Sequence, residues 1–139
     1  MSAPGDIVDL GTAVVAALNA AAADIGIRAA ELRFEGQGVD VVAPGIIVML
    51  APPSSPDGVA LPAFQQWECT LFVCGAGAAT VAQAAIAAMT IAQKAHALLR
   101  PSFRGLLELN AAEPFAIVRA LPTNFICAVN YDVPFSLFP

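Results

Sequence analysis

The chain has 139 residues, a formal net charge of −5, 58% apolar side chains and 12% charged side chains. This length suits one domain, and the 6 basic residues are dispersed, which excludes the clustered Lys/Arg surface that sequence-specific nucleic-acid binding requires. Typical domains have about 25% charged residues. The composition therefore predicts apolar surface that meets a neighbouring subunit, unless the many small alanines account for the excess.

The N-terminal part of the chain has the spacing of an amphipathic helix. Between residues 7 and 25, apolar side chains recur at helical spacing, at Ile7, Leu10, Val14, Leu18 and Ile25. Gly26 closes this predicted helix, and a polar connection containing Gly36 and Gly38 follows. No basic segment followed by an apolar one precedes the helix, so we expect no signal peptide.

Two strands and a long loop are predicted next. An apolar run predicts a strand at residues 45–51, preceded at 39–42 by a short edge strand or an extended loop. Residues 52–62 are rich in proline and serine and predict a loop, a kind of segment that is often functional in a compact domain. Residues 64–74 alternate as in a half-buried strand, where Trp67 is a core residue or an aromatic anchor at an interface.

A turn at Gly75 and Gly77 leads into an alanine-rich helix, predicted at residues 78–99 and ended by Pro101. Its predicted apolar side consists of Val81, Ala85, Ala88, Met89, Ala92 and Leu99. The scarcity of polar residues on this helix indicates contacts on more than one side. The least polar window, 71–92, has the length of a membrane span, but its glycines and polar interruptions argue against one. We therefore expect no membrane helix.

The last third of the chain predicts an antiparallel pair of strands. A short strand at residues 103–109 is followed by alternating patterns at 115–121 and 125–136, with a turn at Pro122 between them. In the first pattern Phe115, Ile117, Arg119 and Leu121 share one face. The complete order predicts an α+β fold in one domain spanning residues 1–139, with a mainly antiparallel β-sheet packed with two α-helices on one face.

Candidate catalytic and metal-binding residues are few and scattered. The only histidine, His96, is a possible acid or base, but its place near a helix end favours contact with the terminal carbonyls or a surface position. The cysteines Cys69, Cys74 and Cys127 have neither zinc-ligand spacing nor the spacing of a redox pair, and they are expected to be reduced and buried. We therefore predict that the protein is not an enzyme and has no catalytic centre, metal site or cofactor.

The order of elements resembles the tail terminator family of long-tailed bacteriophages. The resemblance combines the N-terminal helix, the Pro-Gly-apolar strand at residues 44–49 and the proline- and serine-rich loop at 52–62. It continues through the strand at 64–74, the alanine-rich helix at 78–99 and the final strand, which ends in Tyr131, Asp132, Val133, Pro134 and Phe135.

This resemblance implies a structural virion protein that forms a hexameric ring in the tail or neck after assembly in the host cytoplasm. The ring would cap the tail tube, stop its growth and join it to the head connector. Its partners would be further copies of the chain, the tail tube protein and the head–tail connector protein, while DNA passes through the lumen. By the same analogy, the loop reaches toward the tube or a neighbouring subunit through Pro53, Ser54, Ser55, Pro56, Asp57 and Gly58.

Two other classes of function stay open. One is a different phage neck or tail subunit (connector, stopper or tube), which a ring of another stoichiometry would indicate. The other is a small-molecule-binding or enzymatic domain, which a pocket lined by His96, Cys69 or Tyr131 with converging polar groups would indicate. If the tail-terminator hypothesis is correct, we expect the isolated subunit to be monomeric or weakly associated. It would form a ring on the tail end, where the loop at residues 52–62 becomes ordered on contact.

Overall fold

One six-stranded sheet organises the molecule in the computed structural model, which describes residues 7–34, 37–38, 43–51 and 64–136. The strands are β1 (Ala29–Phe34), β2 (Gly45–Ala51), β3 (Phe64–Cys74), β4 (Glu108–Leu109), β5 (Phe115–Ala120) and β6 (Phe125–Ser136). The loop residues 53–58 that were predicted to form an interface, and the segment 39–42, lie outside the described residues.

β3 and β6 are the long central strands of the sheet. β6 pairs with β3 along one edge and with both β4 and β5 along its other edge. On the far side of β3 lie β2 and then β1. β1 and β2 run parallel, and every other described pair is antiparallel, which confirms the predicted mainly antiparallel sheet.

Three helices pack on one face of this sheet, which confirms the predicted α+β fold, although two helices were predicted: α1 (Ile7–Ala20), the short α2 (Ala22–Ile25) and α3 (Val81–Ser102). Gly26 ends α2 in the left-handed conformation, with φ 83. The Thr80 hydroxyl starts α3 by accepting the N–H of Gln83 at 3.2 Å. No helix within the described part of the chain is long and apolar enough to cross a membrane.

The core lies between the helices and the sheet. Alternate residues of the three inner strands face the helices and are buried: Ile46, Val48, Leu50, Cys69, Leu71, Val73, Cys127, Val129, Tyr131 and Val133. From α1, Leu10, Val14 and Leu18 pack against them, as the helical spacing predicts. Full burial of side chains of this size contributes about 1.5–3 kcal/mol each.

The side of α3 that faces the sheet consists mainly of alanine. Its buried residues are Ala84, Ala88, Ile91, Ala92, Ala95 and Leu99. Val81 and Met89, predicted to lie on the packed side, are instead exposed. The reason is the close approach of helix and sheet, since a Cβ added to Gly75 would lie 2.7 Å from the backbone nitrogen of Ala88. The larger side chains of Val81 and Met89 therefore lie beside the contact between α3 and the sheet, and not within it.

Several boundaries differ from the predicted ones: the helix predicted at residues 7–25 is divided into α1 and α2, and α3 begins at Val81 and not at residue 78. β1 lies in the segment predicted as a polar connection; Ala30, Leu32 and Phe34 alternate there with Glu31 and Arg33, a short strand pattern that the prediction missed. The strand predicted at 103–109 is reduced to β4, since a turn in which Leu106 and Leu107 both donate to the Phe103 carbonyl precedes it. α3 continues through Pro101 to Ser102, so the helix end predicted at that proline is wrong.

A β-bulge interrupts the predicted alternation of β5. Ile117 lies opposite Cys127 and Arg119 lies opposite Ile126, so Val118 is an extra residue on this strand. Phe115 and Ile117 share the helix-facing side of the sheet, as predicted. The extra residue moves Arg119 to the opposite face, contrary to the predicted alternation.

Candidate functional site: an apolar groove at the sheet edge

An open groove of about 300 Å³ separates α3 from the edge of the sheet that β4 and β5 form. It is lined from the helix by Met89, Ala92, Gln93 and His96, and from the sheet by Leu109, Pro114, Phe115 and Val129. Among the described residues, only Gln93 and His96 bring polar side-chain atoms to it. The groove is therefore an apolar depression between two secondary-structure elements.

Large exposed side chains extend the apolar surface beyond the groove. Ile86 on α3 is 66% exposed and Ile117 on β5 is 58% exposed. Ile86 lies about one turn before Met89 on the helix, and Ile117 lies two residues after Phe115 on the same face of the sheet. We call the groove together with these two isoleucines the apolar edge. Contiguous apolar surface of this kind usually marks an interaction site.

His96 and Tyr131 form a hydrogen-bonded pair at the wall of the groove. The Nδ1 atom of His96 and the hydroxyl of Tyr131 are 2.7 Å apart, and the two rings stack with centroids separated by 5.8 Å. Burial, followed by the nearby Cys69, raises the pKa of Tyr131, so its hydroxyl stays protonated at neutral pH. The sequence-based expectation that His96 contacts helix-terminal carbonyls or the surface missed this pairing.

The cysteine thiols are held in their protonated form by burial. Burial raises the pKa of Cys69 to about 12 and that of Cys127 to about 11. Burial also raises the pKa of Cys74, although the charge of Arg119 opposes this. A protonated thiol is a poor nucleophile and a poor metal ligand. Among the described residues, no group of three or more His, Cys, Asp or Glu side chains is arranged to hold a metal ion.

A polar network on the other face of the sheet fixes the connection between β4 and β5. It surrounds a shallow concavity of about 220 Å³. Thr70 donates to the Oδ1 atom of Asn130 at 3.0 Å, and the Asn130 amide donates to the Glu113 carbonyl at 2.9 Å. Asn110 donates to Asp132 and accepts the backbone N–H of Glu113. These hydrogen bonds fix the turn between β4 and β5. Leu109 and Phe115, which line the groove, lie at the two ends of this turn.

The two outer edges of the sheet differ. At the β1 edge, the backbone groups of Ala30 pair with the side chain of Asn19, with N–H to Oδ1 at 2.8 Å and Nδ2 to O at 3.1 Å. The N–H of Phe34 donates to the Oε1 atom of Gln37 at 2.8 Å, and the Phe34 carbonyl accepts the backbone N–H of Gln37 at 3.1 Å. Side chains that occupy the backbone groups of an edge strand prevent another strand from pairing there.

The β5 edge is not closed in this way within the described residues. The N–H of Asn130 donates to the Pro114 carbonyl at 3.0 Å. Because hydrogen-bonded and non-bonded pairs alternate in an antiparallel ladder, the backbone groups of Phe115 and Ile117 point away from β6. No strand in the described part of the chain pairs with this edge. The bulge at Val118 limits how far another strand could pair with it.

The structure brings His96 and Tyr131 into contact and pairs Cys69 with Tyr131 in the sheet. Of these three residues, His96 lines the groove, whereas Cys69 and Tyr131 are buried and do not line it. Trp67 is buried in the core, and its indole N–H has no partner among the described residues. Sequence reasoning missed the groove because its walls come from helix and strand segments far apart in the chain. The one sequence signal for it was the scarcity of polar residues on α3.

Comparison with protein-family models, with curated proteins and with solved structures finds no match to this chain.

Proposed function

We propose that this protein is a structural subunit that assembles with copies of itself into a ring, and that the ring is the tail terminator of a long-tailed bacteriophage. The observation that carries the proposal is the apolar edge, which leaves large side chains such as Ile86 and Ile117 in water in the isolated chain. Covering apolar surface with another subunit is favourable by about 25 cal/mol for each Å² removed from water.

The lining of the groove favours a protein partner over a small molecule. Small-molecule sites usually combine apolar walls with several converging polar groups. In this groove the polar atoms come from Gln93 and His96, and the Nδ1 atom of His96 is already bonded to Tyr131. The centres of protein interfaces, in contrast, are depleted of charge and rich in apolar and aromatic side chains. This comparison supports an assembly role.

The assignment to a phage tail rests on the resemblance in the order of elements. α1, β2, β3, α3 and the final strand β6 follow one another in the order through which the sequence resembles tail terminators. In this proposal the ring caps the tail tube, stops its growth and contacts the head connector, and DNA passes through its lumen. The proposed partners are thus the tail tube protein and the head–tail connector protein.

Light scattering and imaging test this function. The mass of the purified protein is measured alone and with assembled tail tubes, and the tube ends are then imaged by electron microscopy. We expect a monomeric or weakly associated free protein and a sixfold ring at one end of the tube. A ring of another stoichiometry at the neck would indicate a different tail or neck subunit. A monomer that ignores tubes would contradict both.

A further inference from the structure

We propose that the occupant of the groove is the β1 edge of a second copy of this chain, with Phe34 as the inserted side chain. This inference rests on the proposed assembly into a ring and specifies the contact that builds it. The acceptor is the apolar edge. The donor is the opposite edge of the sheet, formed by Val8 on α1 and by Phe34 and Arg33 on β1.

The register of the strands places the donor edge and the acceptor edge at the same level along the strand direction. One row of paired residues crosses the whole sheet, from Phe34 through Leu50, Cys69 and Tyr131 to Leu109. A second copy that lies beside β4 with its strands level with those of the first sheet therefore brings its own Phe34 next to Leu109. Leu109 lines the groove, and both side chains belong to the helix-facing side of the sheet.

The donor edge projects apolar side chains in the isolated chain. Phe34 is 43% exposed, and Val8 is exposed to a similar degree. Asn19 bonds to Ala30, and a Cβ added to Gly11 would lie 2.8 Å from Leu32, so α1 runs antiparallel to β1. Val8, about one turn before Gly11, thus lies toward the Phe34 end of the strand.

Charges on the outer face of the sheet are complementary in the same alignment. The row next to that of Phe34 runs from Arg33 through Met49 and Thr70 to Asn130. The Asn130 side chain donates to the backbone carbonyl of Glu113, so this row ends at the turn that carries the exposed Glu113. The same alignment brings Arg33 of the second copy to this turn, and we pair it there with Glu113. Opposite charges that meet across an interface fix its register.

Side chains, rather than a continuous backbone ladder, form this contact. Asn19 and Gln37 already occupy backbone groups of β1, which leaves Phe34 free to insert as a side chain. Donor and acceptor lie at opposite edges, so each copy binds one neighbour through each edge. A head-to-tail contact of this type generates a ring when its rotation closes, whereas a contact of the β5 edge with itself would stop at a dimer.

Site-directed cross-linking tests the contact. Phe34→Cys protein is mixed with Leu109→Cys protein at a concentration where light scattering shows oligomers, or on tail tubes if the free protein is monomeric, and treated with a short bis-maleimide. We expect a covalent dimer in the mixture, and a ladder of multimers from the Phe34→Cys/Leu109→Cys double variant. The unmodified protein should give no product, because Cys69, Cys74 and Cys127 are buried. Leu121→Cys in place of Leu109→Cys is the positional control.

Charge reversal provides a second measurement. We expect Arg33→Glu and Glu113→Arg each to weaken association at least several-fold, and the double variant to recover most of the loss. Recovery in the double variant shows that Arg33 and Glu113 of different copies interact. Loss of the intramolecular bonds of Arg33 to Glu31 and Gly38 would not be restored by Glu113→Arg. An absence of recovery would contradict the alignment.

The outcomes distinguish this inference from the proposed function. Oligomers that give no Phe34–Leu109 product would overturn the contact but leave the ring. A dimer from Leu109→Cys protein alone would overturn it in favour of contact between like edges. A protein that stays monomeric both free and on tail tubes would overturn the contact and the proposed function together.

Discussion

The buried Tyr131 hydroxyl is hydrogen-bonded to His96, a residue of α3 that lines the groove. Replacing Tyr131 by Phe retains the ring and removes one hydrogen bond, so we expect a loss of about 1 kcal/mol in the free energy of unfolding. A double-mutant cycle with His96→Ala, measured by urea denaturation, isolates the pair. Additive losses would show that the bond contributes nothing to stability.

Cys69 makes the stability of the fold sensitive to alkaline pH. Its pKa is raised by burial from 9.0 to about 12, so above pH 9 the unfolded chain loses a proton that the folded chain retains. This stabilisation is complete below pH 9 and is lost as the pH rises toward 12, with a limiting slope of about 1.4 kcal/mol per pH unit for each such group. We expect the urea midpoint to fall between pH 9 and 11, and less steeply in Cys69→Ala. Parallel pH profiles for the two proteins would contradict this cause.

At the scale of elements, Gly75 allows α3 to approach β3. An added Cβ would lie 2.7 Å from the backbone of Ala88, which cannot rotate away as a side chain can. We expect Gly75→Ala to lower the free energy of unfolding by about 1–3 kcal/mol. Gly77→Ala is the matched control, because its Cβ would meet Thr123 at an ordinary 3.7 Å. Equal effects in thermal and urea unfolding would refute the close approach as the reason for this glycine.

Asn19 ties α1 to the edge of β1 by two hydrogen bonds to Ala30. We expect Asn19→Ala to destabilise the fold by about 1–2 kcal/mol and to speed amide hydrogen exchange at Ala30. Thr12→Ala, an exposed change on the same helix, should leave exchange at Ala30 unchanged. The opposite result, slow exchange at Ala30 in Asn19→Ala, would mean that this edge is protected by something else.

Helices and strands that bury one face could be predicted from the sequence, because their apolar residues recur at helical or alternating spacing. α1 and β6 follow this rule, because the burial of Leu10 and Val14 and of Cys127 and Val129 matches the predicted spacing. β1 was missed because its local signal, the alternation of Leu32 and Phe34 with Glu31 and Arg33, is short, and because its edge is completed by Asn19, 11 residues earlier in the chain. The groove likewise depends on strand pairing between distant segments.

At the scale of the whole molecule, the high apolar content includes both buried alanines and large exposed side chains. Alanines of α3 are buried against the sheet, so part of the excess reflects close packing, as the alternative based on small side chains predicted. Large exposed apolar side chains also lie along the β4–β5 edge and at Phe34. Packing within one chain can be inferred from composition and spacing, whereas the position of uncovered surface requires the sheet order.

The apolar edge predicts that association and folding can be separated by one substitution. Leu109 is 44% exposed and lines the groove, so Leu109→Lys should leave the free energy of unfolding within about 0.5 kcal/mol, as for most surface changes. The same change places a charge in the proposed interface, where an unpaired buried charge is strongly unfavourable, and should weaken association at least tenfold. Leu121→Lys is the matched control, since Leu121 is 52% exposed and lies outside the groove. Light scattering across a concentration series measures association of both variants, and urea unfolding measures their stability. If Leu109→Lys and Leu121→Lys weakened association equally, general surface charge, and not the groove, would govern assembly.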